Sequence, residues 1–262
     1  MRRPGAGRIA AGLAVLLAGW LLAAPFAGAF SFGVEPSRIQ LAVPAGKQRG
    51  RTVRVHNKSD QPIHLRTYVT DVAFLPDGTS DFPAAGSTPW SCASWIRAVP
   101  EELDLAPEEG RDVRVSIAAP AGSLGGHYAM IFFESAPSYD QQGLSVNFRI
   151  GALTEVTIPG TETHAAEITD LTVLPPQDIL VQVRNTGNAL FRPKGKVKVF
   201  GAREERVAQV DFNPNRLGVL PQTARTFHTA LEPLPAGAYR VKVEIDYGTA
   251  YLLVGEREFR VP

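Results

Sequence analysis

The chain has 262 residues, with 27 basic against 26 acidic side chains and a single cysteine, Cys92. That balance gives no electrostatic reason to expect nucleic acid or an anionic membrane surface as a partner. One cysteine excludes an intrachain disulfide, so every core must be stable through apolar burial alone.

Residues 1–29 read as an export signal. MRRPGAGR carries three arginines and no acid, the apolar run IAAGLAVLLAGWLLAA follows, and Ala27-Gly28-Ala29 has the small side chains of a cleavage site. The apolar run is 16 residues long, short of the roughly 20 that a spanning helix needs. The remaining 233 residues carry 24 bases and 26 acids and contain no second apolar stretch of spanning length. The mature chain is therefore expected to be exported and not to insert into a membrane.

Beyond the signal, apolar and polar residues alternate with period two over residues 51–55 (RTVRV), 112–117 (DVRVSI), 144–150 (LSVNFRI), 197–200 (VKVF) and 239–245 (YRVKVEI). Turn clusters such as NKSDQP, LPDG, APEEG, NTGN and DYG separate them, and helical spacing is sustained nowhere. With 24 Gly and 21 Pro, the pattern predicts an all-β chain of short strands packed as sandwiches.

The turn VHNKSD at 55–60 returns as VRNTGN at 183–188, an offset of 128. Leu103-Asp104-Leu105-Ala106-Pro107 returns as Leu217-Gly218-Val219-Leu220-Pro221, an offset of 114. Pro120-Ala121-Gly122 returns as Pro235-Ala236-Gly237, each leading to a tyrosine, Tyr128 or Tyr239. Three matches in one order predict two tandem immunoglobulin-like β-sandwich domains, residues 30–158 and 159–262. The difference between the offsets assigns the first domain about 14 extra residues, which fit the loop LPDGTSDFPAAGSTPWS.

Chemistry-bearing patterns are sparse. The five histidines show no metal-ligand spacing, although His56 and His64 flank the first Asn turn and could face each other across a hairpin. Cys92, in WSCASW, has no neighbouring His and reads as an inert thiol. No nucleophile elbow, phosphate loop or metalloprotease helix is present. No catalytic residue, metal site or cofactor is expected, and the chain reads as a binding protein.

GVEPSRIQLAVPAGKQRGRTVRVHNKSDQPIHLRTYVTDV (33–72), WIRAVPEELDLAPEEGRDVRVSI (95–117) and GGHYAMIFFES (125–135) together resemble a periplasmic pilus-assembly chaperone domain of the PapD type. PSRI, the Asn turn and SWIRAVP…LAPEEG are also similar to WxL-interacting cell-wall proteins, a relative with an immunoglobulin-like fold. The resemblance implies a protein client, a pilin-like subunit or other envelope protein, held by strand addition. The lent strand matches LSVNFRIGA, with Leu144, Val146, Phe148 and Ile150 on one face. It further implies a clamp for the client's terminal carboxylate made of a first-strand Arg and a Lys near the end of that strand. Arg38 matches the first cation; the second falls at or next to Gly151, where no Lys stands. The other reading is a structural adaptor or a cell-wall or glycan-associated binding protein, using the 75–92 loop with Phe82, Trp90 and Trp95.

Overall fold

A computed structural model describes residues 31–139, 145–174 and 178–262. The export segment and Leu144 lie outside the described residues. In chain order the first half contains β1 (Phe32–Glu35), β2 (Arg38–Ala42), β3 (Gln48–Asn57), β4 (Ile63–Thr70), β5 (Ala73–Phe74), β6 (Ser80–Asp81), β7 (Ile96–Val99), β8 (Glu102–Leu105), β9 (Gly110–Ala118), β10 (Gly125–Ser135), β11 (Ser138–Tyr139), β12 (Ser145–Val146) and β13 (Arg149–Ile158). The second half contains β14 (Ala166–Leu174), β15 (Asp178–Asn185), β16 (Lys194–Phe200), β17 (Arg206–Phe212), β18 (Ala224–Ala230), β19 (Gly237–Asp246) and β20 (Leu252–Val261).

These strands form two tandem immunoglobulin-like sandwiches. In the first, the sheet β1-β3-β9-β7 faces the sheet β2-β13-β10-β4-β8; in the second, β14-β15-β18 faces β17-β16-β19-β20. Period-two alternation builds each core, because successive side chains point to opposite faces of a strand. Val53 and Val55 of β3 meet Val113 and Val115 of β9 across from Ile131 and Phe133 of β10. Val181 and Val183 of β15 similarly face Val197 and Val199 of β16 and Val241 and Val243 of β19. Among the described residues, no helix is long and apolar enough to cross a membrane.

The two Asn turns do the same work in both sandwiches. Asn57 is fully buried; its Nδ2 donates to the carbonyls of Gln61 at 2.8 Å, Ala106 at 3.0 Å and Leu105 at 3.3 Å, and its Oδ1 accepts from Ser59 N at 3.0 Å. Asn185, equally buried, donates to Ala189 O at 2.9 Å and Val219 O at 3.0 Å and accepts from Gly187 N at 2.9 Å. Gln61 and Ala189 keep the offset of 128, and Leu105 and Val219 keep that of 114. Each amide therefore satisfies buried carbonyls of a turn and of a distant strand end at once, which backbone pairing alone leaves open.

The first Asn turn is not a hairpin. β3 pairs with β1 and β9, whereas β4 pairs with β8 and β10, so the turn carries the chain from one sheet to the other. His56 and His64 consequently stand in opposite sheets. His56 Nε2 lies 2.9 Å from Glu108 O, and His64 Nδ1 lies 2.8 Å from Asp104 Oδ1.

The long insertion of the first sandwich folds around a carboxylate. Asp71 is fully buried and accepts from Thr88 N at 2.7 Å, Thr88 Oγ1 at 2.9 Å, Gly86 N at 3.1 Å and Ser91 Oγ. Desolvation pushes its pKa upward, but the hydrogen bonds from Ser91, Thr88 and Gly86 outweigh that and hold the carboxyl below the usual range. The insertion and the residues leading into it also join the halves. Phe74, Trp90 and Val72 pack with Tyr128, Leu190 and Leu220, Arg225 Nη2 donates to Gly78 O at 2.8 Å, and Thr226 N donates to Pro76 O at 2.9 Å.

Candidate functional site

The site starts from the way the first strand is divided. β1 covers β3 only from Arg54 to Asn57. After Pro36 and Ser37 the chain crosses to the other sheet, where β2 runs parallel to β13 and covers it from Leu153 to Thr157. Among the described residues, none forms a strand on that side of residues 149–152 of β13 or of the segment leading into them. Leu153 N donates to Ser37 O at 3.0 Å. Backbone groups alternate in direction along a strand, so the amides and carbonyls of Gly151 and Arg149 point toward the same uncovered side.

The strand expected over 144–150 is divided too. Ser145 and Val146 pair with Tyr139 and Ser138, two residues break the regular pattern, and β13 resumes at Arg149. Residues 147–148 remain docked on β10: Phe148 N donates to Ser135 Oγ at 3.0 Å, Phe148 O accepts from Ser135 N at 2.8 Å, and Asn147 Nδ2 donates to Glu134 Oε1 at 2.6 Å. Ile150 is half-buried and packs on the first core, Val146 is half-buried, and Phe148 is 43% exposed. Val146, Phe148 and Ile150 thus continue the inward-facing row of Ala152, Thr154 and Val156 beyond the sandwich's end, as a ridge that grows more exposed.

On the other face, the Arg149 guanidinium lies over Phe132 at 4.7 Å and Phe82 at 5.5 Å. A Cβ on Gly151 would sit 2.6 Å from Met130 Sδ and 3.0 Å from Phe132 Cε1. A side chain there requires Met130 and Phe132 to shift.

Arg38 stands where the uncovered segment meets β2. Its side chain is half exposed, with Nε 3.4 Å from Glu155 Oε1. Glu155 is nearly buried and is held more firmly by others. Arg192, from the second sandwich, engages both of its oxygens, closely at Oε1 and at 3.3 Å on Oε2, and Gln40 Nε2 donates to Oε2 at 3.0 Å. Two guanidiniums thus share one carboxylate, which leaves one positive charge in excess at the corner between the sandwiches. Glu155 and Arg192 were not singled out from the sequence. Glu155 was visible there as the only charge between Arg149 and Glu162; Arg192 had no signal, because its role exists only across the corner.

The aromatic residues near the insertion are half-buried and pack on neighbouring side chains. Trp90 Nε1 donates to Val72 O at 3.0 Å, Trp95 lies against His127 with centroids 4.2 Å apart, and Phe82 meets Phe132 edge-on at 4.9 Å. Cys92 is fully buried, and burial pushes its thiol far above the ordinary range, followed in effect by the nearby Asp71 charge. A thiol so held is a poor nucleophile.

No protein-family model matches the chain, and no curated protein is a detectable sequence relative. Among solved structures, the class 5 fimbriae chaperone CfaA aligns with a TM-score of 0.50 at 16% identity, over 88% of this chain and all of that one. The chain has the PapD-type chaperone fold. The DraB chaperone of E. coli (TM-score 0.45, 14% identity, 89% of this chain and 98% of that one) and the CupB2 chaperone of Pseudomonas aeruginosa (0.42, 14%, 87% and 100%) are similar along their length. Within the PapD-type fold, the divided first strand and the uncovered half of β13 belong to the first sandwich, and the Arg192–Glu155 contact ties the second sandwich to it.

Proposed function

We propose that this chain is an exported, non-enzymatic binding protein of the periplasm or cell envelope that holds a protein client, of the pilin-like kind, by strand addition. The observation that carries the reading is the uncovered half of β13 ending at Arg38. A client strand added beside residues 145–152 continues the row that β2 begins. If it runs parallel to β13, its C-terminus arrives beside Ser37 and Arg38; if antiparallel, its N-terminal amine does. The excess positive charge and the half-exposed Arg38 guanidinium favour a carboxylate and so the parallel direction. Val146, Phe148 and Ile150 supply the apolar contact, each side chain contributing about 1.5–3 kcal/mol when fully buried, before ordering costs. The carboxylate contact contributes about 1.5–3 kcal/mol more. Phe82, Trp90 and Trp95 are half-buried and each already packs on or bonds to a neighbour within the fold, which favours the client reading over a glycan platform on the insertion.

The test uses a peptide of alternating apolar residues with a free C-terminus and the same peptide as its amide. The free acid is expected to bind roughly tenfold more tightly, with the advantage removed by Arg38→Ala. Phe148→Asp is expected to abolish binding of both. Equal affinities of acid and amide, or binding that survives Phe148→Asp, refute the proposal.

A further inference from the structure

The divided first strand leaves a second uncovered half-strand, in the opposite sheet and of different character. β1 stops pairing with β3 at Arg54, so residues 48–53 of this ten-residue strand have β9 on one side and, among the described residues, no strand on the other. Asn57 N donates toward β9, to Glu109 O, and Lys58 N donates toward the chain before β1, to Ser31 O. By alternation, Gly50 and Thr52 direct their amides and carbonyls to the uncovered side. A shallow hollow of about 590 Å³, lined by Pro36, Gly50, Arg51, Thr52 and Arg114, lies there.

The charge around this hollow is unbalanced. The four strands of this sheet carry six arginines against Glu35 and Asp112. Arg54 pairs with Asp112 and Arg111 with Glu109, but Arg51, Arg97 and Arg114 are exposed and have no acidic partner among the described residues. The rest of residues 30–158 carries twelve acids against five bases, so the positive charge is segregated onto one sheet. Like charges gathered without counter-charges cost stability that a complementary partner recovers.

We propose that this half-strand is a second docking edge, which takes an extended acidic segment of a partner protein. Gly50 and Thr52 pair with its backbone, while Arg114, on the outer face opposite Thr52, and Arg51, on the other face in line with Val53, bind carboxylates that project to the two sides of the added strand. Backbone pairing selects a polypeptide over an anionic lipid, which has no strand to offer. The proposal is independent of the client reading, because the two edges belong to different sheets.

The experiment measures binding of the purified protein to a dye-labelled, end-capped octapeptide of repeating Glu-Glu-Thr-Thr, which as a strand carries carboxylates on both faces. Comparators are its Lys counterpart, the acidic peptide N-methylated at alternate residues, and phosphatidylglycerol vesicles. The acidic peptide is expected to bind, more weakly as salt rises, with a loss of roughly tenfold for each of Arg51→Glu and Arg114→Glu. Amide exchange at Gly50 and Thr52 is expected to slow on binding, and Phe148→Asp is expected to leave it intact. Equal binding of the N-methylated peptide, unchanged exchange at Gly50 and Thr52, or arginine variants that lose only vesicle binding would each overturn the proposal. The arginines would then be guards of a bare edge or a membrane contact.

Discussion

Replacing Glu155 with glutamine separates the two jobs of the corner between the sandwiches. The carboxylate is nearly buried and takes two contacts from Arg192, whose own side chain is only 18% exposed. A hydrogen bond to a charged group contributes about 1.5–3 kcal/mol, and removing one member of a buried pair costs about 3–5 kcal/mol because the other charge stays unmatched. The amide oxygen of the replacement can still accept from Gln40 and from one Arg192 nitrogen, so the expected loss is about 2–4 kcal/mol. Arg38 is half exposed at 3.4 Å, and its pair with Glu155 belongs to the class contributing about 0–1 kcal/mol. Arg38→Ala should therefore lower stability by under about 1 kcal/mol. Denaturant unfolding followed by tryptophan fluorescence measures both. The same Glu155→Gln change removes the competitor for Arg38, so the preference for a free C-terminus over an amide should increase. Equal destabilisation by Arg38→Ala and Glu155→Gln would falsify the division of labour, as would a Glu155→Gln protein of unchanged stability.

The remaining predictions address the frame. Asn57→Ala and Asn185→Ala should each cost about 2–4 kcal/mol by orphaning buried carbonyls, and their effects in denaturant titrations should add, because they lie in separate cores. Gly151→Ala drives a Cβ into Met130 and Phe132 and should cost about 1–3 kcal/mol through overpacking; an unchanged melting temperature would contradict the close approach. The folded Asp71 carboxyl is held below its unfolded value. Its contribution is therefore present above about pH 4 and is lost as pH falls through the lowered value. Proteolysis within residues 71–92 should stay constant from neutral pH down to about 4 and rise only below it.

The sequence by itself determined the all-β class, through period-two alternation. It also determined the internal duplication, because buried Asn amides need the same carbonyl partners in each copy and so preserve two offsets. The insertion between the repeats was legible as surplus length. Val146, Phe148 and Ile150 were legible as one face, since alternate residues of a strand share a side, and Arg38 through its place in the PSRI segment. Only the tertiary structure decided that the first strand is divided between two sheets, because a cross-over leaves no mark in alternation. That division bares half of β13 and half of β3 together. It also decided that Glu155 is held by Arg192, a contact between residues 37 positions apart in different sandwiches, and that a side chain at Gly151 would meet Met130 and Phe132. Alternation records which face a residue takes; it does not record which strand, if any, lies alongside.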